Sequence, residues 1–455
     1  MELIKAKGKS IRSEIRAELD SEGQRAENKD EETLHPMPNA LYAEHGGNIY
    51  QIAEEMGLSA NTLIDFSASI NPLGVSKRVK DVINRELNAL INYPDPDAKT
   101  LRMKLAEYHG IAPETIICGN GSTELIYLIP RSLKPETALI PAPTFSEYER
   151  ACKTSNKLKV TSYKLKKENN FRTVPEEFIS AIKENVNSKF KIQNSNQNPS
   201  LVTCHLSLVT GRHMAFLCNP NNPTGHLLKK GDVLGIAEAA RDMQCVLVVD
   251  EAFIDFRPEE SVIDHVQDNP YLIVLRSMTK FYALTGLRIG YGVFHPDLIS
   301  RIIYFKEPWT VNNLAQKAAI TALEDNEYAR QTFELMAKEK EFMERGFRKM
   351  GVRFYPSAAN YYLLKIPPSP MVREGEGGVV PMFREKGILV RDCSNFAGLG
   401  ASYVRVAVKS RKHNKMLLKE LNELKDAWRV IPAKAGIQEK GTGFRLEDCR
   451  NDGKI

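Results

Sequence analysis

Val246-Leu-Val-Val-Asp250-Glu-Ala-Phe253 decides how this chain is read. Four apolar residues followed by an acid describe a buried strand that delivers a carboxylate at its C-terminal end. In open α/β sheets that edge is where ligands bind. A second segment repeats the device. Tyr271-Leu-Ile-Val-Leu275 is a buried strand, and Arg276-Ser277-Met-Thr279-Lys280 carries a serine, a threonine and a lysine to the same edge. Two shorter strands, Thr115–Cys118 and Thr137–Ile140, end in Gly119-Asn-Gly-Ser122 and in Pro141-Ala-Pro143, and helical stretches such as Thr100–His109 separate such strands. The alternation predicts an α/β fold whose sheet is mostly parallel.

Working outward, the globular pattern starts near Leu41, and Ile64–Ile70 reads as a strand entering the turn Asn71-Pro-Leu-Gly74. After Lys317 the pattern changes to one long charged amphipathic helix reaching Met350, then short strands and two helices ending near Trp428, which describes a second, α+β domain. The expected organisation is a tail over 1–40, disordered or partly helical, and an N-terminal arm over 41–75 that joins the small domain. A large domain over 76–315 follows, then a small C-terminal domain over 316–429 and a disordered tail over 430–455. Two polar stretches, 186–212 and 367–378, fit neither domain and read as surface insertions, because structureless loops of this length are unusual inside compact domains.

Composition narrows the function. The chain has 455 residues, 42% hydrophobic and 26% charged, ordinary for a globular protein and long enough to bury a core without disulfide or metal staples. Its longest apolar stretch, around Cys245–Val249, falls far short of the ~20 residues of a membrane-spanning helix. The N-terminus mixes both charges and lacks the apolar segment of a secretory signal. Seven cysteines are scattered with no CxxC pair, which argues for a reducing compartment, the cytoplasm, and against a disulfide framework or a zinc site. A net charge of +6 suits anionic small molecules and is too small for a nucleic-acid footprint.

The strand-end residues make up a chemical set. Besides Asp250 and Lys280 there are Thr285-Gly-Leu-Arg288-Ile-Gly290, an arginine between glycines, and Asn219-Pro-Asn-Asn222-Pro-Thr-Gly225, a turn dense in Asn and Pro. Each piece alone has a commoner structural reading: a strand-end cap for Asp250, a surface lysine for Lys280, a plain turn for the glycines. Together they match the needs of pyridoxal 5'-phosphate. Its aldehyde requires a desolvated lysine, Lys280. Its ring nitrogen requires a carboxylate to stay protonated, Asp250. Its phosphate requires hydroxyls, a cation and backbone amides, which Gly121, Ser122 and Thr123 at a helix start supply together with Ser277, Thr279 and Arg288. Phe145 stands where it could stack on the ring.

Asn222-Pro-Thr-Gly225, Asp250-Glu-Ala, Ser277-Met-Thr-Lys280 and Gly286-Leu-Arg288-Ile-Gly290 resemble fold-type I pyridoxal-phosphate enzymes of the class-II aminotransferase group. Two branches of it are nearest, the histidinol-phosphate aminotransferases and the threonine-phosphate decarboxylases. The resemblance runs from about Leu41 to Trp428 and makes 76–315 the pyridoxal-phosphate domain. His45-Gly46-Gly47-Asn48 and Asp65-Phe-Ser-Ala-Ser69-Ile-Asn71-Pro-Leu-Gly74 resemble the opening of the decarboxylases, whose His-Gly-Gly segment is expected to hold the substrate phosphate. Glycines expose amides and an imidazole adds a donor. Phe253 stands where the aminotransferases carry a tyrosine directed at the cofactor's 3'-oxygen, which leaves Asn222 as the side-chain partner of that oxygen and favours the decarboxylases.

Other roles follow from the same resemblance. Arg405 would grip the substrate α-carboxylate, for which a planar fork is suited. Arg391 would reach the substrate phosphate, and Ser69 and Asn71 would line the substrate side, with Ser69 departing from the Asn often expected there. Tyr93 would reach the cofactor phosphate of a neighbouring subunit, which implies a homodimer. The implied reaction is decarboxylation of O-phospho-L-threonine to (R)-1-aminopropan-2-yl phosphate, a precursor of cobalamin, with class-II transamination as the alternative. The expected partner is a small phosphorylated amino acid, with no nucleic acid, no membrane and no metal.

Overall fold

The computed structural model of the chain describes residues 45–155, 158–187, 212–366 and 378–429. The expected tails over 1–40 and 430–455 lie outside the described residues, as do 188–211 and 367–377 of the two insertions. The insertion expected from Val186 starts later, since Val186 and Asn187 complete the helix Pro175–Asn187. Two units are distinguished, Met1–Asn48 and Ile49–Ile455. In the first, His45 and Gly46 form a bend and Gly47 adopts φ +92°.

In the second unit the strands are, in chain order, β1 Ile64–Asp65, β2 Ile116–Asn120, β3 Thr137–Ala142, β4 Lys159–Lys164, β5 His213–Cys218, β6 Cys245–Asp250, β7 Leu272–Ser277 and β8 Ile289–Val293, then β9 Arg353–Phe354, β10 Tyr361–Lys365, β11 Ile388–Leu389, β12 Arg391–Asp392 and β13 Tyr403–Ala407. Among the described residues a seven-stranded sheet has the order β2-β8-β7-β6-β5-β3-β4. All its pairings are parallel except those of β8, which runs antiparallel to β2 and β7. The mostly parallel α/β sheet is therefore as the sequence reads. β4, β5 and β8 were not expected.

Period-two side-chain alternation drives both faces of this sheet into cores. Leu247 and Val249 of β6 face a core with Leu101, Phe178 and Val233, from three helices on one side. Val246 and Val248 face one with Leu125, Ile129, Tyr148 and Leu298, from helices on the other. Every residue of β6 and β7 is buried, and each aliphatic side chain so buried contributes about 1.5–3 kcal/mol. A four-stranded antiparallel sheet, β12-β13-β10-β9, follows in the chain, and β1 pairs in parallel with β11.

Two expected elements are shorter. The strand expected over Ile64–Ile70 stops at Asp65, whose Oδ1 accepts hydrogen bonds from Ser67 N at 2.7 Å and Ala68 N at 3.2 Å, so the side chain turns the backbone out of the ladder. The single helix expected to reach Met350 is two, Asn313–Leu323 and Asn326–Met350. The Asp325 side chain starts the second by accepting from Tyr328 N at 3.1 Å.

Candidate active site

The C-terminal ends of β2, β3, β5, β6 and β7 share one sheet edge, and the antiparallel β8 begins there. This places the helix Gly121–Leu133, Phe145, the Asn219–Gly225 loop, Asp250, Lys280 and Arg288 around one depression.

Asp250 ends β6 and is buried. The Tyr148 hydroxyl donates to its Oδ2 at 2.6 Å, and Ala252 N donates to its Oδ1 at 2.9 Å. Burial raises its pKa above the ordinary carboxylate value, while those two donors and the Lys280 ammonium pull the other way. Phe145 packs edge-on to Tyr148, with ring centroids 5.6 Å apart.

Lys280 follows β7 at the same edge. Its backbone oxygen accepts from Asn71 N at 3.1 Å, and its Nζ lies 5.8 Å from the centre of the Phe253 ring. Burial lowers its pKa to about 8, helped by Arg405 and Arg288 and opposed by Asp250. An amine in that range has an appreciable neutral, nucleophilic fraction near neutral pH.

Residues that the sequence suggested for a phosphate lie close together. Ser277 Oγ and Thr279 Oγ1 lie 2.8 Å apart, and Gly121 N donates to Arg288 O at 3.0 Å. Gly121 adopts φ +74°, and a Cβ there would sit 2.5 Å from Arg288 Nη2. A Cβ on Gly290 would sit 2.4 Å from Ser122 N. Only glycine permits both approaches, and they seat the helix start against the guanidinium. Thr123 and Arg288 line one open cavity of about 450 Å³. An anionic group fits the donors gathered here, an amine-reactive group fits Lys280, and a protonated ring nitrogen fits Asp250.

The antiparallel sheet supplies the other wall. Arg405, buried on β13, donates to Asn222 Oδ1 and, at 2.7 Å, to Ser67 O, and its guanidinium lies over the Tyr361 ring at 5.1 Å. The Tyr361 ring meets Phe253 edge-on at 5.0 Å, and its hydroxyl donates to Asn221 O at 2.8 Å. Among the described residues, Arg405 Nε and Ser69 Oγ are buried with no hydrogen-bond partner, and such polar atoms suit a bound ligand better than an empty interior. The Asn219–Gly225 loop and the segment before β10 approach closely. Ala358 N donates to Gly225 O at 2.8 Å, and a Cβ on Gly225 would lie 2.1 Å from Ser357 Oγ.

Arg391 pairs across the ladder with Arg405. It donates to Asn395 Oδ1 at 3.1 Å and lies over the Phe396 ring at 5.0 Å. With Phe145, Ser162 and Asn395 it lines a cavity of about 100 Å³. Asn71 is not aimed into the depression: its Nδ2 donates to Phe281 O at 2.8 Å and to Thr332 Oγ1 at 2.7 Å. Tyr93 also stands apart, 84% exposed, with its ring 5.4 Å from that of Trp309. His45, Gly46 and Gly47 belong to the leading unit.

The class I and II aminotransferase family matches residues 54–421. The chain belongs to that family. It is 34% identical to the threonine-phosphate decarboxylase of Salmonella typhimurium, over 84% of this chain and 96% of that protein. Among solved structures it resembles the L-threonine-O-3-phosphate decarboxylase of Porphyromonas gingivalis, with 27% identity, a TM-score of 0.63 and coverage of 80% and 100%. It also resembles the histidinol-phosphate aminotransferase of Clostridium acetobutylicum, with 28% identity, a TM-score of 0.68 and coverage of 80% and 99%. Membership in the aminotransferase family accords with the fold-type I architecture. Sequence reasoning missed Tyr148 and Tyr361. Neither carries a motif, and they lie 102 and 140 residues from their hydrogen-bond partners. No spacing rule could have joined them.

Proposed function

We propose that the chain is a pyridoxal-phosphate-dependent decarboxylase that converts O-phospho-L-threonine to (R)-1-aminopropan-2-yl phosphate for cobalamin synthesis. The reading rests on the likeness to the Salmonella decarboxylase across nearly all of that protein's length. Phe253, which has no hydroxyl to offer the cofactor, agrees with it.

When bound, pyridoxal phosphate supplies an aldehyde that takes up the substrate amine and a ring that accepts the electrons of the broken bond. The other roles belong to the chain. Lys280 Nζ would hold the cofactor aldehyde and could carry a proton to and from the substrate. Asp250 would hold the ring nitrogen's proton, Phe145 would pack against the ring, and Asn222 would be the side-chain partner of its 3'-oxygen. Gly121, Ser122, Thr123, Ser277, Thr279 and Arg288 hold the cofactor phosphate. Arg405, with its free Nε–H, takes the substrate carboxylate and decides where it points. A grip on the carboxylate by Arg405 would favour loss of that group over loss of the Cα proton. Arg391 would take the substrate phosphate, and Ser69 would turn its hydroxyl to the substrate. The committed amide of Asn71 makes its substrate contribution that of holding this segment against Lys280.

The arm over 41–75, the large domain over 76–315 and the small domain over 316–429 remain our division of the enzyme. We place it in the cytoplasm as a homodimer. Ile91 and Tyr93, with 88% and 84% of their surface exposed, and the half-exposed Trp309 offer an apolar surface suited to a second copy, with Tyr93 reaching the partner's cofactor phosphate.

The deciding experiment incubates the holoenzyme with O-phospho-L-threonine. Release of carbon dioxide with formation of aminopropanol phosphate is expected. Formation of glutamate from histidinol phosphate and 2-oxoglutarate, without decarboxylation, would replace this reading with the aminotransferase one.

A further inference from the structure

The Asp250 carboxylate is held by neutral donors. Besides Ala252 N, its close partner is Tyr148, whose hydroxyl approaches Oδ2 at 2.6 Å. The Tyr148 ring is fully buried and stacks on Phe216, with centroids 5.0 Å apart and planes 15° apart. The stack on Phe216 and the perpendicular packing with Phe145 restrict the ring, and with it the position of the hydroxyl oxygen.

The titratable groups that face Asp250 come from four elements. They are Tyr148 from the helix Glu147–Thr154, Cys218 from β5, Lys280 beyond β7 and Tyr361 from β10. Burial pushes the Cys218 thiol up to about 12 and both phenols well above their ordinary value. At working pH all three are neutral, and among these four only Lys280 can carry charge.

An isolated buried carboxylate tends to take up a proton. A neutral donor stabilises its charge without cancelling it, whereas an ion pair would spend that charge within the protein. With Oδ1 and Oδ2 each occupied by one donor, the remaining lone pairs have fixed directions. We propose that Tyr148 is a positioning residue for the cofactor's ring nitrogen: its hydroxyl keeps the Asp250 carboxylate charged and fixed in orientation toward that nitrogen. The inference rests on the reading of the depression as a pyridoxal-phosphate site.

The test measures the affinity of the purified full chain for pyridoxal phosphate against pH, alongside thermal melting of the apoprotein. Tyr148→Phe removes one oxygen and keeps the ring stack. The expected result is a folded apoprotein that binds pyridoxal phosphate roughly tenfold more weakly, with the acidic limb of binding moved up by about one pH unit, the size of one lost charge-assisted hydrogen bond. Tyr148→His, which retains a donor, is expected to restore part of both. Melting that falls while the pH profile of binding stays put would mean a merely structural tyrosine and would overturn the proposal. Should neither variant fold, infrared titration of the Asp250 band in the unaltered apoprotein decides, with Asp250→Asn identifying the band. An ionised band at neutral pH supports the proposal, and a protonated one refutes it. If the unaltered chain binds no pyridoxal phosphate, the cofactor reading fails. If it binds while Tyr148→Phe changes nothing, only this inference fails.

Discussion

Asp250 and its neighbour Glu251 are adjacent buried acids with opposite treatments. Glu251 points to the far side of the sheet, where Arg276 Nη1 lies 3.2 Å from its Oε2, Ser261 Oγ donates to the same oxygen at 2.6 Å, and Val262 N donates to Oε1 at 2.9 Å. Arg276 also pairs with Asp255. Burial raises the pKa of Glu251, and Arg276 heads the contacts that oppose it. That carboxylate is closed off by a cation of the protein itself. Asp250 has a phenol and an amide instead, and its charge is left for something that is not protein. Glu251 has a guanidinium in direct contact, whereas the groups hydrogen-bonded to the Asp250 carboxylate are both neutral.

Substitutions can break this contrast. The largest effect is expected on the ligand side. Lys280→Ala should abolish decarboxylation of O-phospho-L-threonine, measured as carbon dioxide release, while the apoprotein still melts cooperatively. Next is Asp250→Asn, expected to lower turnover roughly 100- to 1,000-fold, as loss of one preorganised electrostatic contact does. Apoprotein stability should then change by less than about 1 kcal/mol, because no internal ion pair is lost. On the other side, Arg276→Met should destabilise the fold by about 3–5 kcal/mol in denaturant titration by leaving Glu251 and Asp255 uncompensated. A comparable loss of stability in Asp250→Asn would erase the distinction.

Two smaller effects sharpen it. With Lys280 held near 8 in the fold and near its ordinary 10.4 when unfolded, the unfolded chain binds more protons between these values. Apoprotein stability should therefore rise with pH from about 8 to 10.5, the full cost of the buried ammonium being felt below that window. Melts across this range should lose the rise in Lys280→Met. The smallest effect is that of Ser69→Ala. Among the described residues its hydroxyl has no partner to lose, so the apoprotein should be at least as stable, within about 1 kcal/mol. The KM for O-phospho-L-threonine should rise if the hydroxyl meets substrate.

Much of this was readable in the sequence for a physical reason. A parallel strand is buried on both faces, so it reads as an unbroken apolar run, and the residue after the run is at the sheet edge. Asp250 after β6, and Ser277 with the nearby Lys280 after β7, were legible in this way. Asp65 was misread because its own side chain competes for the backbone, an effect local apolarity does not reveal. Asn71 resembled a ligand by motif, yet its amide is engaged by Phe281 and Thr332. Tyr148 was invisible because its worth depends on where a helix lands after the sheet closes.

The contact at Gly225 has a wider consequence. With no room for even one carbon between this loop and Ser357, the loop gauges the spacing between the two sheets, and Asn222 and Arg405 meet across the interval it sets. A side chain at position 225 would therefore displace the loop and, with it, the meeting of Asn222 and Arg405.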